Sequence, residues 1–272
     1  MADARHPFTA SDGYTVHYRH YEPAGEPTAR VVFLHGIQSH GGWYTRSCAE
    51  IAAAGFDVYF LDRRGCGRNQ EARGDARRFR RLQDDIAEFI KTLPTDKPII
   101  LAGISWGGKL AAAFPYRAPG MVQKIALLCP GLFPKITPGF LQRLWIGRCA
   151  LRRPTKMFPI PLNDPELFTA SPEGQAMIRN DPLVLREATA RMMFQSVGLD
   201  IYLKRAWKHV KVPTLLMLAE HDRIIDNAKT RKYVEKFPGG ATVLEYPGAH
   251  HTLELEGPGH PFVGDFIAWA GK

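Results

Sequence analysis

The sequence predicts an α/β fold: a mostly parallel, eight-stranded sheet with helices on both faces and one helical insertion. Three observations predict it. Short apolar runs alternate with helix-length segments from residue 30 to residue 128, and strand–helix–strand succession gives parallel strands joined by right-handed crossovers. The alternation stops after Cys129 and resumes at Val212, so the stretch between is an insertion. Finally, 272 residues with 45% hydrophobic content supply a large core and exclude disorder.

Taken in order, residues 7–21 alternate, with Tyr14, Val16 and Tyr18 on one face and a turn at Ser11-Asp12-Gly13. That pattern predicts an antiparallel hairpin at a sheet edge. Glu22 to Thr28 is a Pro/Gly loop, and Arg30 to Leu34 a buried strand ending at His35-Gly36. Trp43 to Ala54 reads as a helix stopped by Gly55, followed by a strand from Phe56 to Leu61. Leu82, Ile86, Phe89, Ile90 and Leu93 recur at helical spacing. Ile99 to Ala102 is a continuous apolar run between Pro98 and Gly103, the mark of a strand buried on both faces. A helix-forming run, Lys109 to Ala113, follows, with Pro115 predicting a kink or an early end. Lys124 to Leu128 is the sixth strand.

From Pro130 to about His209 the pattern is Pro-rich and helical, with no clear strand. Its large apolar residues include Phe133, Phe140, Leu144, Trp145, Met157, Phe158, Phe168, Met192, Met193, Phe194 and Trp207. Most are expected to pack the insertion against itself and a few to line a pocket, because such an insertion crosses the carboxyl end of the sheet, where open α/β sheets bind ligands. Val212 to Leu218 resumes the sheet; Asn227 to Phe237 is a helix, Ala241 to Tyr246 the last strand and Phe262 to Ala270 the closing helix. The expected division is a core of residues 1–129 and 211–272 with a helical cap, or lid, over 130–210.

Between the buried strand and its helix lies Gly103-Ile104-Ser105-Trp106-Gly107. With six serines and 25 glycines in 272 residues, about 0.05 chance matches to Gly-x-Ser-x-Gly are expected. The strand before and the helix after supply the context of a nucleophile elbow, a turn too tight for a Cβ two residues either side of the serine. It lifts the Ser105 hydroxyl clear of the sheet and sets it at a helix start, where free N–H groups favour negative charge.

A serine hydroxyl needs a base within hydrogen-bond reach, and the base an orienting carboxylate. Asp222 follows the strand Val212–Leu218, and the pair His250-His251 follows Ala241–Tyr246, so all lie at the same sheet rim as Ser105. Asp226 competes with Asp222 but reads as a cap for the helix starting at Asn227. Acyl transfer also requires donors to an oxyanion; the N–H of Trp106 is one, and that of Ile37, after the His35-Gly36 turn, is the other candidate.

Composition narrows the rest. The net charge of +9 is not interleaved with aromatics in any nucleic-acid-binding pattern, so nucleic acid is not an expected partner. Arg73, Arg77, Arg78, Arg80 and Arg81 cluster against Asp75 alone. They read as a solvated loop and helix face or as a surface attracted to anionic lipid. No apolar run reaches membrane-span length, and Met-Ala-Asp-Ala-Arg-His-Pro carries no apolar leader core. Cys48, Cys66, Cys129 and Cys149 are dispersed, with no Cys-x-x-Cys, which predicts free thiols in a reducing, cytoplasmic setting and no metal site.

Over nearly its whole length the chain resembles the α/β-hydrolase family, in its monoglyceride lipase and lysophospholipase-like branch. The resemblance is carried by His35-Gly36 with Ser39-His40, by Asp62-Arg63-Arg64-Gly65-Cys66-Gly67-Arg68 and by Gly103-Ile104-Ser105-Trp106-Gly107-Gly108. It continues through Val212-Pro213-Thr214-Leu215-Leu216, His221-Asp222-Arg223-Ile224-Ile225-Asp226 and His251-Thr252-Leu253-Glu254-Leu255-Glu256. The branch's catalytic histidine is followed five positions later by glutamate, an interval that His251 and Glu256 satisfy. The resemblance implies Ser105 as nucleophile, His251 as base, Asp222 as its orienter, and Ile37 and Trp106 as oxyanion donors. Cys66 stands where the branch often has histidine and Asn69 where it often has serine; both adjoin the site and bear on the substrate more than the reaction. The expected activity is that of a cofactor-free serine esterase acting on lipid-like or small acyl esters, an amidase, peptidase or acyltransferase being the alternatives.

Overall fold

The computed structural model describes residues 5–272. Residues 1–4, part of the start read above as lacking a leader core, lie outside the described residues.

The hairpin β1 (Arg5–Thr9) and β2 (Thr15–Tyr21) forms one edge of the sheet, turning at Gly13 with φ +83°. The chain then alternates through β3 (Ala29–Leu34), α1 (Thr45–Ala53), β4 (Phe56–Leu61), α2 (Phe79–Thr92), β5 (Ile99–Ile104), α3 (Trp106–Arg117) and β6 (Lys124–Leu128). The sheet resumes in β9 (Thr214–Ala219) and, after α7 (Asn227–Val234), ends in β10 (Ala241–Tyr246), with α8 (Phe262–Ala270) closing the chain. Strand order is β1-β2-β4-β3-β5-β6-β9-β10; β2 runs antiparallel to both its neighbours and the six strands from β4 to β10 are parallel. Every residue of β3, β4, β5 and β9 is buried, Arg30 and Asp57 among them, as strands covered on both faces must be. α3 runs only two residues past Pro115, close to the early end its proline predicts.

Parallel pairing brings the functional loops to one rim. Leu34 pairs with Gly103, Ile104 with Leu128, Leu128 with Met217 and Ala219 with Tyr246. The segments carrying Ile37, Ser105, Asp222 and His251 therefore all leave the carboxyl end of the sheet. Among the described residues no helix is long and apolar enough to cross a membrane.

Between β6 and β9 lie α4 (Phe140–Arg152), β7 (Met157–Pro159), α5 (Pro172–Asn180), β8 (Glu187–Thr189) and α6 (Ala190–Ala206). Here the structure corrects two expectations. The segment does contain strands: β7 and β8 form an antiparallel ribbon, each too short for an alternating pattern to register. The packing of its large apolar residues is also less complete than expected: Phe158, Phe168 and Met192 are buried and Phe133, Met193 and Trp207 partly so, but Phe140, Leu144, Trp145, Met157 and Phe194 are exposed. For Phe140, Leu144 and Trp145 the reason is that α4 rests on α6 and buries only Ile146 and Cys149.

The basic cluster is also partly committed. Arg73 donates to the carbonyls of Leu183 and Val184, and Asp75 pairs with Arg191 at the start of α6, tying the loop before α2 to the inserted segment. Arg81 binds Asp85 and Glu88, which leaves Arg77, Arg78 and Arg80 in solvent. All four cysteines are free and buried.

The turn between β5 and α3 owes its shape to contacts that exclude side chains. A Cβ on Gly107 would lie 2.4 Å from the Leu34 carbonyl oxygen and 2.6 Å from that of His35; one on Gly103 would lie 2.6 Å from the Gly107 oxygen. Backbone cannot yield as a flexible side chain can, so Gly107→Ala is expected to cost about 3 kcal/mol or to abolish folding. Gly139→Ala, at a position with nothing within 4 Å of the added Cβ, is expected to leave the urea unfolding midpoint within error. Comparing the two midpoints checks the prediction.

Candidate active site

Ser105 is the residue at which strand becomes helix, and its backbone lies at φ +50° and ψ −120°. That conformation costs an L-residue on the order of 1–3 kcal/mol and persists only where the surroundings dictate it. Here they do: the Ser105 N–H donates to the Leu128 carbonyl, and the Ser105 carbonyl accepts from the N–H groups of Gly108 and Gly131. The side chain is thereby held out over the rim.

His251 reaches it from the loop after β10. Its Nε2 lies 2.9 Å from Ser105 Oγ, and its Nδ1 lies 2.6 Å from Asp222 Oδ2. A carboxylate only accepts, so Nδ1 carries the proton and Nε2 is free to accept from the serine hydroxyl. Asp222 follows β9, and its other oxygen, Oδ1, accepts from the N–H groups of Ile224 and Ile225 at 2.8 and 2.9 Å. Burial alone would raise the pKa of this carboxyl. The positive field and hydrogen bond of His251, with the two main-chain donors, outweigh it and hold the group below its ordinary value of 3.8. Asp222 thus stays ionised while almost fully buried.

The competing residues have other work. Asp226 caps α7, accepting from the Lys229 N–H at 3.0 Å. His250 turns away from Ser105; its N–H donates to Glu256 Oε1 at 2.6 Å. The five-residue interval from His251 to Glu256 therefore has a structural reason: the glutamate clamps the loop one residue before the histidine that faces Ser105.

Ile37 and Trp106 both line the cavity above Ser105. Trp106 opens α3, where a helix leaves its first N–H groups unpaired, and neither its N–H nor that of Ile37 has a hydrogen-bond partner among the described residues. Two unspent donors beside a serine hydroxyl are what a developing oxyanion would need. The cavity measures about 560 Å³. Its wall is mostly apolar, with Ile136, Ile146, Ile160, Leu162, Met192 and Ile224 prominent.

Sequence reasoning missed two parts of the wall. Lys109 Nζ lies 2.6 Å from Asp200 on α6, and the indole Nε1 of Trp106 donates to Ser196 Oγ on the same helix. The spacing of Lys109, four residues past Ser105 and so on the same helical face, was the available signal; its partner across the cavity was not visible.

Comparison with known proteins assigns the chain to a family. A sequence model of the family described as "Serine aminopeptidase, S33" matches residues 25–258. The monoacylglycerol lipase of Mycolicibacterium smegmatis is 26% identical, over 98% of this chain and 96% of its own. The human monoglyceride lipase is 23% identical, over 91% of this chain and 83% of its own. The crystal structure of the Paleococcus ferrophilus monoacylglycerol lipase superposes with a TM-score of 0.81 at 24% identity, covering 94% of this chain and 98% of that one. The chain belongs to the S33 serine aminopeptidase family of α/β-hydrolases.

Proposed function

We propose that this chain, a serine ester hydrolase, cleaves lipid esters of the monoacylglycerol or lysophospholipid kind, with Ser105 as nucleophile, His251 as general base and acid, and Asp222 as its orienter. The observation that carries the reading is the continuous line from Asp222 through His251 to Ser105 at the foot of a mostly apolar cavity.

The steps follow from that line. Ser105 Oγ attacks the ester carbonyl as His251 Nε2 takes its proton, and Asp222 stabilises the resulting imidazolium. The carbonyl oxygen, now an oxyanion, is met by the N–H groups of Ile37 and Trp106. Collapse expels the alcohol, protonated by His251. Water, deprotonated by the same imidazole, then attacks the acyl-enzyme and releases the acid. An acyl chain is served by walls of Ile, Leu and Met, whereas a peptide would leave its own amides unpaired against them. This favours an ester over the amidase and peptidase readings.

Residues 130–210 are the cap in this reading, and they supply most of the acyl-lining residues. Their outer surface supports contact with an anionic lipid surface. Phe140, Leu141, Leu144, Trp145 and Leu151 of α4 are exposed, Leu151 by 82%, among Arg143, Arg148, Arg152 and Arg153. Apolar side chains flanked by arginines describe a helix lying in a membrane interface.

Three results are expected. Wild-type protein is labelled by a fluorophosphonate and Ser105→Ala is not; a Ser105→Ala protein that still hydrolysed p-nitrophenyl esters would overturn the assignment. Asp222→Asn lowers kcat by about 10³–10⁴-fold with the fold intact, measured on the same esters, because the amide no longer fixes the imidazole tautomer. The double change Leu141→Glu and Leu144→Glu reduces co-flotation with phosphatidylglycerol vesicles while leaving hydrolysis of a soluble butyrate ester unchanged.

A further inference from the structure

Two adjacent arginines after β4 have unlike surroundings. Arg64 is committed to carboxylates: it binds Asp85 through two nitrogens and also contacts Asp12. Arg63 makes no ion pair among the described residues. Its Nη2 donates to the Ile37 carbonyl at 3.0 Å and to Cys66 Sγ at 2.9 Å. Its guanidinium carbon stands 4.5 Å from the centre of the Trp106 ring. Its Nη1 is buried and makes no hydrogen bond. A guanidinium held only by neutral groups, with a donor unused, is an expensive structural tie. What it touches are the two residues read as oxyanion donors, which come from different loops.

The main chain of the same residue reaches the site by a second route. The Arg63 N–H donates to His35 Nε2 at 2.7 Å, which fixes the proton of that buried imidazole on Nδ1. His35 Nδ1 in turn donates to the Gly36 carbonyl at 2.7 Å. That carbonyl and the Ile37 N–H belong to one peptide unit. Accepting at its oxygen orients the unit and makes its N–H a stronger donor. Arg63 therefore holds Ile37 from both sides: through His35 on the peptide before it, and through the guanidinium on the carbonyl after it.

We propose that Arg63 is the positioning residue of the oxyanion hole, holding the Ile37 and Trp106 donors in register and leaving an unneutralised positive charge beside the developing oxyanion. The proposal rests on Ile37 and Trp106 being those donors. Fixing donors before the reaction is where an oxyanion hole gains its effect, since no reorganisation is then needed as charge develops.

The test replaces Arg63 with Met, of similar reach but without charge or donors, and with Lys, which keeps the charge and loses the planar fork. Arg63→Met is expected to lower kcat on a short p-nitrophenyl ester by about 10–100-fold, less than the loss of a donor outright, with KM within twofold. Affinity for a trifluoromethyl ketone, whose hemiketal oxyanion occupies the hole, should fall by the same factor. Affinity for the matched unreactive ether should not change. Arg63→Lys should recover part of both losses. Unchanged kcat in Arg63→Met, a loss confined to KM, or equal weakening of ketone and ether would overturn the proposal. Should Arg63→Met unfold, Arg63→Lys carries the same comparison of ketone against ether. Ser105→Ala separates the two failures: if it keeps its activity, the catalytic reading itself is wrong, whereas fluorophosphonate-reactive Arg63 variants with wild-type kcat refute only the positioning role.

Discussion

The constraint on which the rest of this structure depends is the backbone of Ser105, held at φ +50° where strand turns to helix. Nothing in an isolated peptide would keep a serine there. It is kept by the approach of α3 to the end of β3, so close that the Leu34 and His35 carbonyls leave no room for a Cβ on Gly107. Two hydrogen bonds to the Ser105 carbonyl and one from its N–H complete the restraint. Strain of this kind is supported by the burial of β3, β5 and β6 around it, because relaxing the turn would require those strands to move apart. The stability of the sheet and the exposure of one hydroxyl are therefore one property viewed from two sides.

Electrostatics follow from the same rim. Burial raises the pKa of a carboxyl such as that of Asp222, and His251 and the loop's main-chain donors together bring it below its ordinary value. The N–H groups of Ile224 and Ile225 spread its charge over main-chain dipoles. Lys135 Nζ bonds the Asp222 carbonyl at 2.7 Å and fixes the loop from the other side. The acid is thus oriented before any substrate arrives, and His251 inherits that orientation. The two N–H groups of Ile37 and Trp106 are the complementary feature: donors left unspent in the folded state, at a place where spending them on protein would remove their use.

How much of this could be read from residues alone depends on the range of the interaction. The strands β3, β4 and β5 are apolar runs interrupted only by Arg30 and Asp57, and α8 begins at Phe262 and ends at Ala270 as its pattern predicts. The elbow was legible because sterics force glycine on both sides of the serine, and Asp222 and His251 because each follows a strand of the same parallel sheet. The ribbon of β7 and β8 was not legible, since three residues cannot show a period. The exposure of α4 was not legible either: an apolar stripe says that something covers it, not what. The bonds from Arg63 to Ile37 and from His35 to Gly36 depend on side-chain directions at a loop crossing, and no spacing rule encodes those.

That same α4 connects the two halves of the functional reading. Its Arg143, Ile146 and Gly147 line the cavity over Ser105, while Leu141, Leu144 and Trp145, on other faces of the same helix, stand in solvent. A helix that merely roofed a cavity would gain from polar residues on its outer face, since each exposed leucine adds to the tendency to aggregate without adding to the core. Here the outer face carries Leu141, Leu144, Trp145 and Leu151 between its arginines. Such a helix is at lower free energy when its outer face meets an apolar phase, and its roof then lies between that phase and the cavity. In the proposed reading the exposed face and the apolar cavity share one physical logic: both shorten the time a hydrocarbon chain spends hydrated on its way to the Ser105 hydroxyl.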